Sequence, residues 1–204
     1  MGQAISREFC LELASGILEV AREVGGFVRL DMEGSSLTQD TIEIFRELRK
    51  RYDNVGIVLQ AYLHRTGDDV KEAVGRRDRV RLCKGAYKEP PEIAFQKKAD
   101  VNANFVKLMR ILLKSGTYHG IATHDPKMID ATLAFAKAEN IAPDKFEFHI
   151  LYGVRSDLQQ QLVKDGWRMR VYIPFGTEWY PYLMRRLAER PANAIFILKN
   201  LFRQ

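Results

Sequence analysis

Two kinds of segment alternate along the chain. Short runs rich in β-branched residues stand at Phe27–Asp31 (FVRLD), Val55–Tyr62 (VGIVLQAY), Arg79–Lys84 (RVRLCK), Gly120–His124 (GIATH), Phe146–Leu151 (FEFHIL) and Arg168–Ile173 (RMRVYI). Helical patterns follow, among them Thr38–Arg51, Asp100–Lys114, Lys127–Glu139, Asp157–Asp165 and Trp179–Arg190. A strand and then a helix, repeated, predicts a parallel sheet with helical crossovers. VGIVLQAY is almost wholly apolar, as a strand covered on both faces should be. Ahead of the first run, Ser6–Val24 predicts a helix, with Phe9, Leu13, Ile17 and Val20 recurring at helical spacing. Asp125-Pro126 predicts a helix start, the Asp as cap and the Pro just inside. Pro143-Asp144 and Gly166 punctuate loops, and no low-complexity linker interrupts the pattern. The chain therefore reads as one domain, residues 1–204.

A closed barrel of alternating strands and helices needs eight strands and about 250 residues. Six strands behind a helix that lacks its own preceding strand predict an α/β, TIM-type (β/α) barrel without its first two strands. The rival is an open doubly wound sheet, which needs no closure. Periodicity leaves both standing.

Composition narrows the function classes. The net charge of +6 favours anionic partners, but the Lys and Arg are scattered, with no basic run interleaved with aromatics, so no nucleic-acid partner is expected. Cys10 and Cys83 form no CxxC pair and lie away from metal-ligand spacing, so no metal site is expected and a reducing cytoplasm is the default. No apolar stretch approaches the roughly 18 residues a membrane span requires, and Met1–Cys10 lacks the basic start and apolar run of a signal peptide.

Ligand sites in parallel α/β folds lie beyond the carboxyl ends of the strands. Asp31, followed by Met32-Glu33, ends the first run. Gln60 sits near the end of the second, and Lys84-Gly85-Ala86-Tyr87 ends the third. Thr123-His124-Asp125, Tyr152-Gly153, and Tyr172 with Pro174-Phe175-Gly176 end the remaining three. Each has a bland reading. An Asp after a strand is usually a cap or turn residue, a Lys beside Gly is a loop lysine, and His124 could cap the helix at Pro126. Gln60 is the sharper signal, since a buried amide demands partners. His64, His119 and His149 read as structural or exposed. Every strand end carries polar groups, which points to a ligand site at a barrel mouth and to no particular ligand.

In the last helical pattern Tyr182, Arg185 and Arg186 lie within one turn. Paired guanidinium groups suit a carboxylate or phosphate, while basic residues late in a helix also simply favour its dipole. No GxGxxG, GxxxxGK[ST], GxSxG or HExxH is present.

The series RLDMEGS, VGIVLQAYLHRT, VRLCKGAYKEPPE, ATHDP, FEFHILYGVR and RVYIPFGTEWYPYLMRRLAERPAN resembles the monofunctional bacterial proline dehydrogenases, from about Arg29 to the end. The resemblance implies a distorted barrel holding FAD at the strand carboxyl ends. It implies oxidation of L-proline to Δ1-pyrroline-5-carboxylate, with electrons passed to a membrane quinone, and so peripheral association with the inner face of the cell membrane. It implies Asp31 and Arg81 as catalytic residues, and Met32, Gln60, Lys84, Gly85, Ala86, Thr123 and His124 as FAD contacts. Arg185 and Arg186 become the carboxylate clamp, and Tyr87, Tyr172 and Tyr182 the substrate wall. Arg81 and Lys84 have opposite parity, so Lys84 is expected where strand gives way to loop. The family's second strand supplies a substrate-binding lysine that nothing here matches, and two upstream strands are expected to be missing. Alternatives are a non-catalytic fragment that binds flavin or a partner chain, and a flavin-free barrel enzyme for an anionic substrate.

Overall fold

The computed structural model describes residues 2–3 and 5–177. The chain divides into two compact units, Met1–Val171 and Tyr172–Gln204. Six strands and six helices alternate among the described residues: α1 Arg7–Glu23, β1 Val28–Leu30, α2 Ser35–Arg49, β2 Val55–Gln60, α3 Thr66–Gly75, β3 Val80–Cys83, α4 Lys98–Lys114, β4 His119–Ala122, α5 Pro126–Ala138, β5 Phe146–Leu151, α6 Ser156–Lys164 and β6 Met169–Tyr172. The strands lie in sequential order in one parallel sheet that forms a half-barrel. The helical pattern Trp179–Arg190 lies outside the described residues.

Local chemistry sets the helix starts. Ser6 caps α1, its hydroxyl accepting from the Phe9 N–H at 3.1 Å. Asp125 caps α5 through the Lys127 N–H at 3.1 Å, with Pro126 in the first turn, as the sequence predicts. Helix α2 begins three residues earlier than its apolar pattern. Its N-cap is Gly34, which has no side chain to offer, and Glu89 from another loop accepts from Ser35 N at 2.8 Å and Ser35 Oγ at 2.6 Å instead. Helix α3, not singled out by periodicity, carries Asp68 and Asp69 in its first turn, where the positive end of the helix dipole favours acidic groups.

The face of α1 differs from its apolar pattern. Phe9, Leu13, Ile17 and Val20 remain 39%, 40%, 45% and 63% exposed, while Cys10, Ala14 and Leu18 are buried. Small side chains at Cys10 and Ala14 let the helix approach its neighbours closely; the bulky stripe points away from them.

One sheet face is apolar and packed on helices. Leu30, Ile57, Leu82, Ile121 and Phe148 join one core cluster with Leu48, Leu108, Leu112 and Ile129. Each such side chain contributes about 2 kcal/mol through burial. The opposite face carries Arg29 of β1, Arg81 of β3, Glu147 and His149, two apart on β5, and Arg170 of β6. Arg29 and Arg170 converge on Glu147, at 3.2 and 2.8 Å, which identifies this as the concave face.

Candidate active site

Asp31 directly follows β1, and Arg81 lies within β3 on the concave face. Arg81 Nη2 donates to Asp31 Oδ1 at 2.7 Å, reaching from β3 past β2 to the end of β1. Arg81 is largely buried and Asp31 about half exposed, so the pair presents a fixed cation beside a carboxylate open to the mouth. Asp31 Oδ1 also accepts from the Met32 N–H at 3.0 Å, which fixes the carboxylate on its own turn.

Gln60, the last residue of β2, is buried. Its amide nitrogen donates to the carbonyls of Met32 at 3.0 Å and Glu33 at 3.2 Å, tying the β1 loop to β2. Its Oε1 is buried and accepts no hydrogen bond from any described residue. A native protein rarely leaves such an oxygen without a donor.

Lys84 follows β3 directly, in the loop, as its parity requires. Its ammonium donates to Asp125 Oδ2 at 2.7 Å. Burial would raise the Asp125 carboxyl, but the Lys84 ammonium and the Lys127 N–H outweigh it and hold the group below its usual range. Asp125 thus both caps α5 and anchors Lys84. Gly85 adopts φ +99°, and a Cβ there would lie 2.1 Å from the Tyr62 ring. Only glycine fits, and the backbone of residues 84–86 passes close over that ring. Ala86 is exposed beside it.

Thr123 is buried, and its hydroxyl oxygen accepts from the Asp125 N–H at 3.1 Å. His124 does not cap α5. Its Nε2 accepts from the Leu151 N–H at 3.0 Å, so the ring joins the ends of β4 and β5. The Tyr87 hydroxyl donates to the Glu33 carboxylate, linking the third strand's loop to the first's. Tyr172 ends β6. Tyr182, Arg185 and Arg186 lie outside the described residues.

Sequence reasoning missed Glu33, Asp125 as the partner of Lys84, and the Glu147 network. Glu147 accepts from Arg170 Nε at 3.0 Å and Nη2 at 2.8 Å, from Arg29, and from Tyr118 at 3.2 Å. Burial works against this carboxylate, yet its hydrogen bonds and the surrounding positive charge keep it ionised well below the usual range. The signal was available. An acid in the middle of FEFHIL is as anomalous as Gln60 in VGIVLQAY, and the arginines of RVRLCK and RMRVYI alternate as one polar face would.

The family description "Proline dehydrogenase" matches residues 5–199. The chain belongs to the proline dehydrogenase family. Proline dehydrogenase 2 of Bacillus subtilis is 47% identical over 201 residues, covering 98% of this chain and 66% of that protein. The proline dehydrogenase of Deinococcus radiodurans is 44% identical, covering 93% of this chain and 62% of that one. The chain thus spans about two thirds of the length of these curated relatives. The crystal structure of proline utilization A from Bdellovibrio bacteriovorus, inactivated by N-propargylglycine, superposes with a TM-score of 0.82 at 31% identity, covering 89% of this chain and 22% of that one. A parallel barrel sheet, and not a doubly wound one, is therefore the fold. Among the described residues, no helix is long and apolar enough to cross a membrane, and no cluster of potential metal ligands occurs.

Proposed function

We propose that this chain, as one barrel domain, carries the FAD-dependent oxidation of L-proline to Δ1-pyrroline-5-carboxylate, with electrons leaving to a quinone. The observation that carries the reading is the Arg81–Asp31 pair set in the concave mouth of a proline dehydrogenase barrel. The residues suit a flavin. Gln60 offers a buried oxygen without a donor among the described residues, and Gly85, packed on the Tyr62 ring, keeps the loop that carries Lys84 close to the strand ends. Met32, Gln60, Lys84, Gly85, Ala86, Thr123 and His124 would hold the group. When bound, FAD takes a hydride equivalent from the substrate and releases its electrons one or two at a time.

The protein's own part is placement and charge. Arg81, held by Asp31, keeps a guanidinium where negative charge builds during the reaction, and a preorganised cation needs no reorganisation at that moment. Lys84, anchored by Asp125, adds a second cation at the same strand end. Arg185 and Arg186 would grip the proline carboxylate in bidentate fashion, which orients the ring. Tyr87, Tyr172 and Tyr182 would form the wall that keeps water away. The electron acceptor would bring the protein to the inner face of the cell membrane as a peripheral, cytoplasmic-side enzyme.

The test is anaerobic titration of the FAD-loaded protein with L-proline. Bleaching of the flavin's visible absorption is expected. Flavin that binds but stays oxidised would remove proline as substrate; a protein that takes up no flavin would remove the cofactor.

A further inference from the structure

His149 lies on the concave face, two residues after Glu147 on β5. Strand register sets its height. Gln60 is paired with Cys83, Leu82 with Ile121, and Ala122 with His149, so Gln60, Cys83, Ala122 and His149 form one layer across the sheet. Gln60 and His149 therefore flank the concave face at the same level, one layer above Arg81 and Glu147. The residue opposite the ring in the layer below is Gly120, where a Cβ would fall 2.6 Å from His149 Nε2. The fold keeps that position empty for the imidazole.

The hydrogen bonds assign the tautomer. His149 Nε2 lies 2.8 Å from Glu147 Oε1. Glu147 is held as a carboxylate by Arg170, Arg29 and Tyr118, so it can only accept, and Nε2 must carry the proton. Burial lowers the His149 pKa, and Arg29 and Arg81 oppose protonation further, so Glu147 does not make the ring an imidazolium. Nδ1 is then the unprotonated nitrogen, able to accept, and the hydrogen bond to Glu147 engages Nε2 alone. Gln60 Oε1 is a buried acceptor without a donor among the described residues, and His149, whose Nε2 is the ring nitrogen engaged by Glu147, stands at the same level of the concave face.

We infer that His149 is a further binding residue of this site, its Nδ1 receiving a hydrogen bond from an N–H or hydroxyl of the flavin beside Arg81. The inference rests on the flavin reading above. Glu147 is then a positioning residue, acting only through the imidazole: it fixes the tautomer that leaves Nδ1 open.

FAD affinity of the refolded apoprotein, measured by fluorescence quenching, provides the test. Loss of one hydrogen bond to a ligand group left buried corresponds to about tenfold weaker binding. His149→Leu should show that loss, and His149→Gln, whose amide offers an acceptor while still donating to Glu147, should stay within about threefold of wild type. The wild-type protein gives an independent readout. With 15N-labelled histidine, the Nδ1 resonance of His149 should sit at an unprotonated position without FAD and shift upfield when FAD is added. A His149→Leu protein that binds FAD as wild type does, or a resonance that does not move, would overturn the inference while leaving the flavin reading intact. A wild-type protein that binds no FAD would overturn both.

Discussion

The guanidinium of Arg29 on β1 lies 3.2 Å from the carboxylate of Glu147 on β5. In a flat sheet, four strand spacings would separate these residues by about 19 Å. Their contact means that the sheet has curled until its first and fifth strands face each other across the concave side. The same curvature lets Arg81 pass over β2 to Asp31, and it brings the polar strand ends to one mouth.

The Arg81–Asp31 pair should govern turnover more than substrate affinity. Arg81→Lys keeps the charge but loses the planar fork that meets Asp31. Arg81→Lys and Asp31→Asn should each lower kcat by about tenfold to a hundredfold, with a smaller change in KM, because a charge-assisted hydrogen bond aimed at developing charge acts on the transition state. Steady-state assays with proline and a dye acceptor decide this; a change confined to KM would place the pair in ground-state binding.

Gln60→Ala should reduce flavin occupancy without unfolding the sheet. It removes a buried amide that ties β2 to the carbonyls of Met32 and Glu33. An effect of about 1–3 kcal/mol is expected. The ratio of flavin absorbance to protein absorbance after purification is the measurement, and unaltered occupancy would exclude the contact.

Stability should depend on pH through His119. The ring is fully buried, its Nδ1 accepting from the Val80 N–H at 3.1 Å and its Nε2 lying 2.9 Å from Ser115 Oγ. Burial pushes its pKa down to about 4. The unfolded chain takes up a proton near pH 6.5 and the native protein does not. The native state therefore holds full stability above about pH 6.5 and loses it as pH falls toward 4, by up to about 3 kcal/mol. Urea titrations at pH 7.5 and 5 should show the loss, and His119→Gln should flatten that dependence while lowering stability at both values.

Two adjacent positions on α1 should respond in opposite ways. Leu18 is fully buried and Ile17 is 45% exposed. Leu18→Ala should cost about 2–5 kcal/mol through the cavity it leaves. Ile17→Ala should stay within about 0.5 kcal/mol, as surface substitutions usually do. Thermal melts of the two variants make the comparison, and an equal loss at both would show that the exposed stripe is covered in solution.

Much of this architecture is written locally. Short β-branched runs and helical spacing locate all six strands and most helices, because strand and helix preferences and burial leave their mark within a few residues. The caps at Ser6 and Asp125 follow from side chains two or three residues from the groups they satisfy. Strand carboxyl ends mark Asp31, Gln60 and Lys84, because a parallel sheet has one end at which loops can meet a ligand. Apolar spacing misjudges α1, since spacing records a stripe but not what lies opposite it. Only the tertiary structure separates His119, enclosed at the start of β4 against Val80 and Ser115, from His149, which faces the concave side beside Glu147. It alone joins Arg29 to Glu147 and Lys84 to Asp125, residues 118 and 41 positions apart. Such contacts depend on how far the sheet curls, and that curvature is set by the packing of all its strands and helices together, which no short window of sequence contains.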